Sequence, residues 1–249
     1  MADAVVLEGV AVVYEGERTP AIRDVDLRVA HGEHVVVVGP NGSGKTTLLE
    51  AINGMLPATA GRVTVLGMDV AREGGRVRSR VGYVLQDFQG DPMDPFLARD
   101  VVMMGRAGRI GVLRWPRRED QEAVDRSIAA MGLSQLAGRP VGKLSGGELQ
   151  RLMLARAMAQ GPEVMLLDEP LAHLDVDARA SGRAALEGWR EATGATVIEV
   201  SHDLGGVPAS AGRMLVLEAG RVVMDGARDA VLASDRLRST FPQWGAGHA

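Results

Sequence analysis

The sequence predicts a mixed α/β fold, in which a parallel-sheet core is interrupted by a helical insert and then resumed. Three observations carry this. The run VVVV at 35–38 is apolar on every residue, as a strand buried on both faces of a sheet must be. A glycine-rich loop follows it directly, and then an apolar helical stripe, which is the order of a strand–loop–helix unit. A second apolar run, VMLL at 164–167, returns after a Met- and Ala-rich helical stretch.

The elements follow in chain order. VVLEGVAVVY and DVDLRV are β-rich, and His31-Gly32 turns the chain into EHVVVV. After Gly44, Leu48, Leu49, Ile52, Met55 and Leu56 form one helical stripe, stopped by Pro57. GRVTVLGMDV and VGYVLQ read as further strands. From about 88 to 160 the pattern is helical, with breaks at Pro92, Pro95, Pro116 and Pro140. Strands return at VMLLD (164–168) and TVIEVSHD (196–203), and MLVLEAGRVVMDG predicts a hairpin turning at Ala219-Gly220. The expected organisation is one domain over 1–225, with its core in 1–87 and 160–225 and a helical subdomain over about 88–159. A short tail, 226–249, completes the chain.

Composition narrows the classes of function. The 249 residues are 46% hydrophobic and 24% charged, which is ordinary globular usage. A net charge of −4 argues against a broad basic face for nucleic acid. With no cysteine, disulfides, thiolate metal sites and cysteine nucleophiles are excluded. MADAVVLEGV has no basic n-region and so is not read as a signal peptide. Apolar runs fall far short of the roughly 18 residues a bilayer span needs, so a membrane role has to come through a partner.

Two motifs carry chemistry by their own logic. GPNGSGKT at 39–46 fits G-x-x-x-x-G-K-[ST] between a strand and a helix. Its glycines let backbone N–H groups approach phosphate oxygens, and the helix N-terminus favours negative charge. Lys45 would bridge the β- and γ-phosphates, and the Thr46 hydroxyl would bind Mg²⁺. EVMLLDEP at 163–170 delivers two adjacent acids at a strand's C-terminal end, where ligands sit in open α/β sheets. Asp168 would hold the metal, and Glu169 could accept a proton from an attacking water.

A third stretch, LSGGELQR at 144–151, is a capping box, Ser145-x-x-Glu148, opening the helical pattern ELQRLMLARAMAQ. Capping leaves Gly146 and Gly147 unexplained, because glycine in a first turn adds nothing to helix stability. The pair makes sense if bare N–H groups must lie against a ligand. Since the loop at 39–46 cradles its own nucleotide, this second grip would serve another molecule's, with two copies packed head to tail.

LSGGELQR placed between GPNGSGKT and VMLLDEP resembles the signature of the ATP-binding cassette (ABC) ATPases, over about 5–225. The resemblance implies a P-loop NTPase (RecA-like) core with an antiparallel β subdomain and a helical insert. It also implies a dimer, of two copies or of paralogues, that sandwiches two ATP molecules with Mg²⁺. Gly39, Pro40, Asn41, Gly42, Ser43, Gly44, Lys45, Thr46 and Thr47 would hold one nucleotide, and Ser145, Gly146, Gly147 and Glu148 the partner's. Gln86 matches the glutamine that contacts Mg²⁺ and attacking water. Asp175, in LAHLD, would face the partner domain's site. His202 matches the histidine on the γ-phosphate, and Tyr14 the aromatic that stacks on adenine.

Such a chain would be the motor of a transporter, cytoplasmic and peripheral on the inner face of the membrane. Its partners would be a permease and a substrate-binding protein, with no nucleic acid. DVVMMGRAGRIGVLRWPRRED is similar to text in zinc, manganese and iron importers, with siderophore and cobalamin importers close behind. Arg114-Trp115-Pro116-Arg117-Arg118 is either a solvated basic loop or a contact for lipid or permease. The alternative function is a non-transport ABC ATPase acting with soluble partners, as in iron–sulfur cluster assembly.

Overall fold

The computed structural model describes residues 3–85, 95–111, 113–172, 174–202, 204 and 207–240. The chain divides into two compact units, Met1–Arg78 with Thr196–Ala249, and Ser79–Ala195.

The first unit opens with β1 (Asp3–Val12) and β2 (Ile22–Ala30), an antiparallel pair in which Leu7 faces Leu27 and Val10 faces Val25. Next come β3 (His34–Val38), α1 (Lys45–Asn53), β4 (Ala60–Val65), β5 (Met68–Asp69) and α2 (Val70–Arg80). Strands β2-β1-β4-β5 form an antiparallel sheet, the expected β subdomain. Two expectations are refined here. The helix after the glycine loop ends at Asn53 and not at Pro57, because Gly54 takes a left-handed cap whose N–H bonds the carbonyls of Glu50 and Ala51. GRVTVLGMDV is two strands, because Leu66 and Gly67 both have positive φ and reverse the chain.

The second unit holds β6 (Val81–Val84), α3 (Ala98–Met104), α4 (Ala107–Ile110), α5 (Arg118–Ala130), α6 (Gly146–Gln160), β7 (Val164–Asp168) and α7 (Val176–Thr193). Strands β6 and β7 pair in parallel, Tyr83 beside Leu166. The helices pack so closely that a Cβ on Gly105 would lie 2.2 Å from the Arg156 carbonyl. Buried Leu149, Leu152, Leu154, Ala155 and Met158 make α6 apolar nearly all round, which is why its sequence shows little polar–apolar alternation.

The chain then returns to the first unit through β8 (Thr196–Ser201), β9 (Arg213–Glu218), β10 (Arg221–Ala227), α8 (Arg228–Leu232) and α9 (Asp235–Thr240). Within this unit the order is β10-β9-β3-β8, with β3 parallel to both β8 and β9. All five residues of β3 are buried, as VVVV requires. The β9–β10 hairpin turns at Ala219-Gly220, with φ of 46° and 79°, as expected from the sequence. Arg213 clamps its base, giving two 2.6 Å bonds to Asp225 and one of 2.7 Å to the Arg28 carbonyl. Val231 of α8 and Leu237 of α9 join Val36, Val38, Met214 and Val216 in one buried cluster. No helix among the described residues is long and apolar enough to cross a membrane.

Candidate functional site

In the first unit β3 ends at Val38 and the chain enters the loop 39–44, where Gly42 and Gly44 have φ of 77° and 100°. Only glycine takes such angles without strain. The loop is braced from behind by backbone. A Cβ on Gly39 would lie 2.2 Å from the Leu217 carbonyl, and one on Gly44 would lie 2.5 Å from that of Ala21. The Gly220 N–H donates to the Ser43 carbonyl at 3.0 Å, so the hairpin turn itself holds the loop. Nothing lies within 4 Å of the Cβ position of Gly42, which leaves that side open. We expect Gly39→Ala to destabilise the protein by about 1–3 kcal/mol through overpacking. A melting curve that matches the parent's would show that Leu217 yields.

Helix α1 starts at Lys45 with no side-chain cap and no acid in its first turn. An uncapped N-terminus above an open glycine loop is suited to an anion. The Ser43 hydroxyl is buried and has no hydrogen-bond partner among the described residues, so a polar group is ready beside the cradle. Lys45 is buried, and its Nζ donates to the carbonyls of Gly39 (2.9 Å) and Pro40 (3.0 Å), which holds the ammonium across the loop. Asn41, Gly42 and Thr46 are exposed. Tyr14, half-exposed, shares a 2.9 Å hydrogen bond with Thr47 Oγ1, which seats its ring beside α1. These residues fit a nucleotide's phosphates and base. His202 is exposed just beyond β8. At the start of β3, away from His202, lies a buried pair, His34 Nε2 3.4 Å from Glu199, with His34 Nδ1 3.3 Å from Ser210 Oγ.

In the second unit β7 is buried on all five residues and ends at Asp168, itself only 2% exposed. Glu169 follows at φ 49°, a left-handed conformation uncommon for a residue with a side chain. Backbone strain of this kind concentrates at functional sites. Gln150, one turn into α6, donates to the Glu169 carbonyl at 3.3 Å and so ties the LSGGELQR helix to the strand end.

At the start of α6 the capping box forms as expected. Glu148 Oε2 accepts from the Ser145 N–H (2.7 Å) and from its hydroxyl (2.9 Å), and Ser145 Oγ accepts from the Glu148 N–H. Ser145 and Gly146 are exposed, and no atom lies within 4 Å of the Gly146 Cβ position. Gly147 is needed for packing as well, since a Cβ there would meet Leu174 at 3.0 Å. Asp175 N-caps α7, its Oδ1 accepting from the Ala178 N–H at 2.8 Å. Gln86 and His173 lie outside the described residues.

The Ser145 N–H holds the Glu148 carboxyl below its ordinary pKa, outweighing partial burial, and Arg139 and Arg151 add to the effect. A carboxyl depressed in the folded state contributes stability above its unfolded value of about 4.3, and that contribution is lost as pH falls through the folded value. Glu148→Gln should therefore lose less stability than the parent when melting curves are compared between pH 6 and pH 3. Parallel losses would show that the cap does not titrate.

Three features were not visible in the sequence: the Gly220–Ser43 brace, the Gln150–Glu169 tie and the Tyr14–Thr47 bond. Each joins residues by tertiary contact, and only the glycine at 220 signalled anything locally.

Comparison with known proteins agrees with the motifs. The ABC transporter family matches residues 22–172. The manganese transport system ATP-binding protein MntB of Bacillus subtilis (strain 168) is 34% identical over 94% of this chain and 91% of its own length. The hemin import ATP-binding protein HmuV of Nocardia farcinica (strain IFM 10152) is 42% identical over 94% and 81%. Among solved structures, a metal-chelate type ABC transporter in an inward-facing conformation aligns with a TM-score of 0.82, at 26% identity over 97% of this chain and 90% of that one. The dimeric cassette MJ0796 bound to ADP and Pi aligns with a TM-score of 0.80, at 27% identity over 90% and 98%. The chain belongs to the ATP-binding cassette transporter family, as one of its ATP-binding subunits that hydrolyse ATP.

Proposed function

We propose that this chain drives the import of metal ions or metal chelates, docked to a membrane permease and supplied by a substrate-binding protein. The observation that carries this reading is the set of relatives, which are ATP-binding proteins for manganese, hemin, nickel and zinc transport. The chain would lie at the inner face of the membrane, as a head-to-tail dimer of two copies or of paralogues.

In this reading residues 39–47 and Tyr14 hold ATP, and Ser145, Gly146, Gly147 and Glu148 grip the nucleotide held by the other subunit. Thr46, Asp168 and Gln86 would hold Mg²⁺, which supplies charge neutralisation at the β- and γ-phosphate oxygens. Glu169 takes a proton from the attacking water as it bonds to the γ-phosphorus, and the bond to the β–γ bridging oxygen breaks. Lys45 stabilises charge on the γ-phosphate and His202 contacts it, while Asp175 faces the other subunit's site. The exposed Ser145–Gly146 edge and the uncapped α1 terminus support this division of labour.

Uptake tests the cargo. Cells lacking this chain should accumulate less manganese, zinc, iron or hemin, and the parent sequence should restore uptake while Glu169→Gln should not. Unchanged uptake of all four, and of nickel, would overturn the importer reading.

A further inference from the structure

The segment 113–118 is built unlike the rest of the surface. Leu113 is 99% exposed and Trp115 is 90% exposed, with only Arg114 between them. Arg114, Arg117 and Arg118 are exposed as well. Neither Arg114 nor Arg117 forms an ion pair among the described residues, although the Arg117 charge also acts on the Asp120 carboxyl, while Arg118 meets Glu122 at 2.8 Å. From Arg106 to Arg118 the sequence carries five arginines and no acid; Glu119 is the first.

The segment is anchored, not frayed. Buried Asp120 accepts from the Arg117 N–H (2.9 Å) through one oxygen and from Arg106 Nε (2.9 Å) through the other. Arg106 also donates to the Ala159 carbonyl, and Arg109 donates to those of Gln160 and Gly161, at the end of α6. Leu113 is held at φ 60°, outside the conformations a branched side chain prefers. The fold thus secures both ends of a loop while leaving its apolar side chains in water, the kind of exposure that marks an interaction surface.

We propose that residues 113–118 contact the anionic surface of a lipid bilayer. Trp115 is suited to the headgroup level, with an apolar ring and one N–H donor, and Leu113 beside it would enter the acyl boundary. Arg114 and Arg117 would pair with lipid phosphates. The apolar Leu113 and the overall charge of −4 favour lipid over nucleic acid. The inference rests on the membrane-motor reading only for where the chain meets a bilayer.

The test uses the whole isolated chain and vesicles of phosphatidylglycerol with phosphatidylcholine, against phosphatidylcholine alone. The chain should sediment with the anionic vesicles and not with the neutral ones. Arg114→Glu with Arg117→Glu should lower partitioning about tenfold or more, since each basic residue near such a surface contributes about a factor of five. Leu113→Ser with Trp115→Ser should lower it to a similar extent, and both pairs should leave ATP hydrolysis in solution unchanged. Equal binding to neutral vesicles, or parent-like binding by either pair, would overturn the proposal. A permease recovered from cells without vesicle binding removes the lipid inference alone. Vesicle binding with no permease recovered removes the membrane-motor reading instead.

Discussion

Glu169→Gln is expected to keep ATP binding and to lower hydrolysis by about a thousandfold, within the 10²–10⁴ that a general base supplies. Glutamine preserves the shape of the side chain and the backbone bond from Gln150 to the Glu169 carbonyl, so the strand end should persist. Only the ability to take a proton is lost. With ATP bound but not cleaved, the two-subunit form should accumulate and be seen by size exclusion in the presence of Mg²⁺ and ATP. Phosphate release near the parent rate would remove the general-base role from Glu169. Burial distinguishes Glu169 from the exposed Asp24, which shares its left-handed backbone, and fits an acid held against a bound group.

Lys45→Ala is expected to weaken ATP binding about a hundredfold, equivalent to about 2.7 kcal/mol. Hydrogen bonds between charged partners are worth about 1.5–3 kcal/mol each, and the ammonium is buried where water screens it little. The variant loses two bonds to its own loop as well, to the Gly39 and Pro40 carbonyls. Melting without nucleotide therefore separates loop damage from lost affinity. Fluorescent-nucleotide titration should show the full drop in affinity with a small change in melting temperature. Unchanged affinity would contradict the phosphate cradle.

The core strands were legible because burial on both faces writes continuous apolar text. VVVV and VMLL are strands in the structure, each buried throughout. The hairpin at Ala219-Gly220 and the cap at Ser145 were legible for a similar reason, since both are local devices set by a few adjacent residues. Helix ends were harder. Gly54 ends α1 ahead of Pro57, because an αL glycine satisfies the last carbonyls before proline acts as a breaker.

What stayed hidden is the support behind the motifs. GPNGSGKT announces a phosphate loop but not that Leu217, Gly220 and Ala21 brace it. Those partners come from distant parts of the chain and have no fixed spacing to the motif. The short segment after Ala227 looked uninformative, yet Val231 and Leu237 are buried against the sheet. Two apolar residues in short helices leave too little periodicity to read.

The central claim, a motor coupled to a membrane importer, is tested most directly by what the chain holds onto in its own cells. Tagged protein from gently solubilised cells should bring down a polytopic membrane protein, together with a metal- or chelate-binding capture protein. Recovery of soluble scaffold proteins with no membrane partner would contradict the importer reading and favour an assembly ATPase.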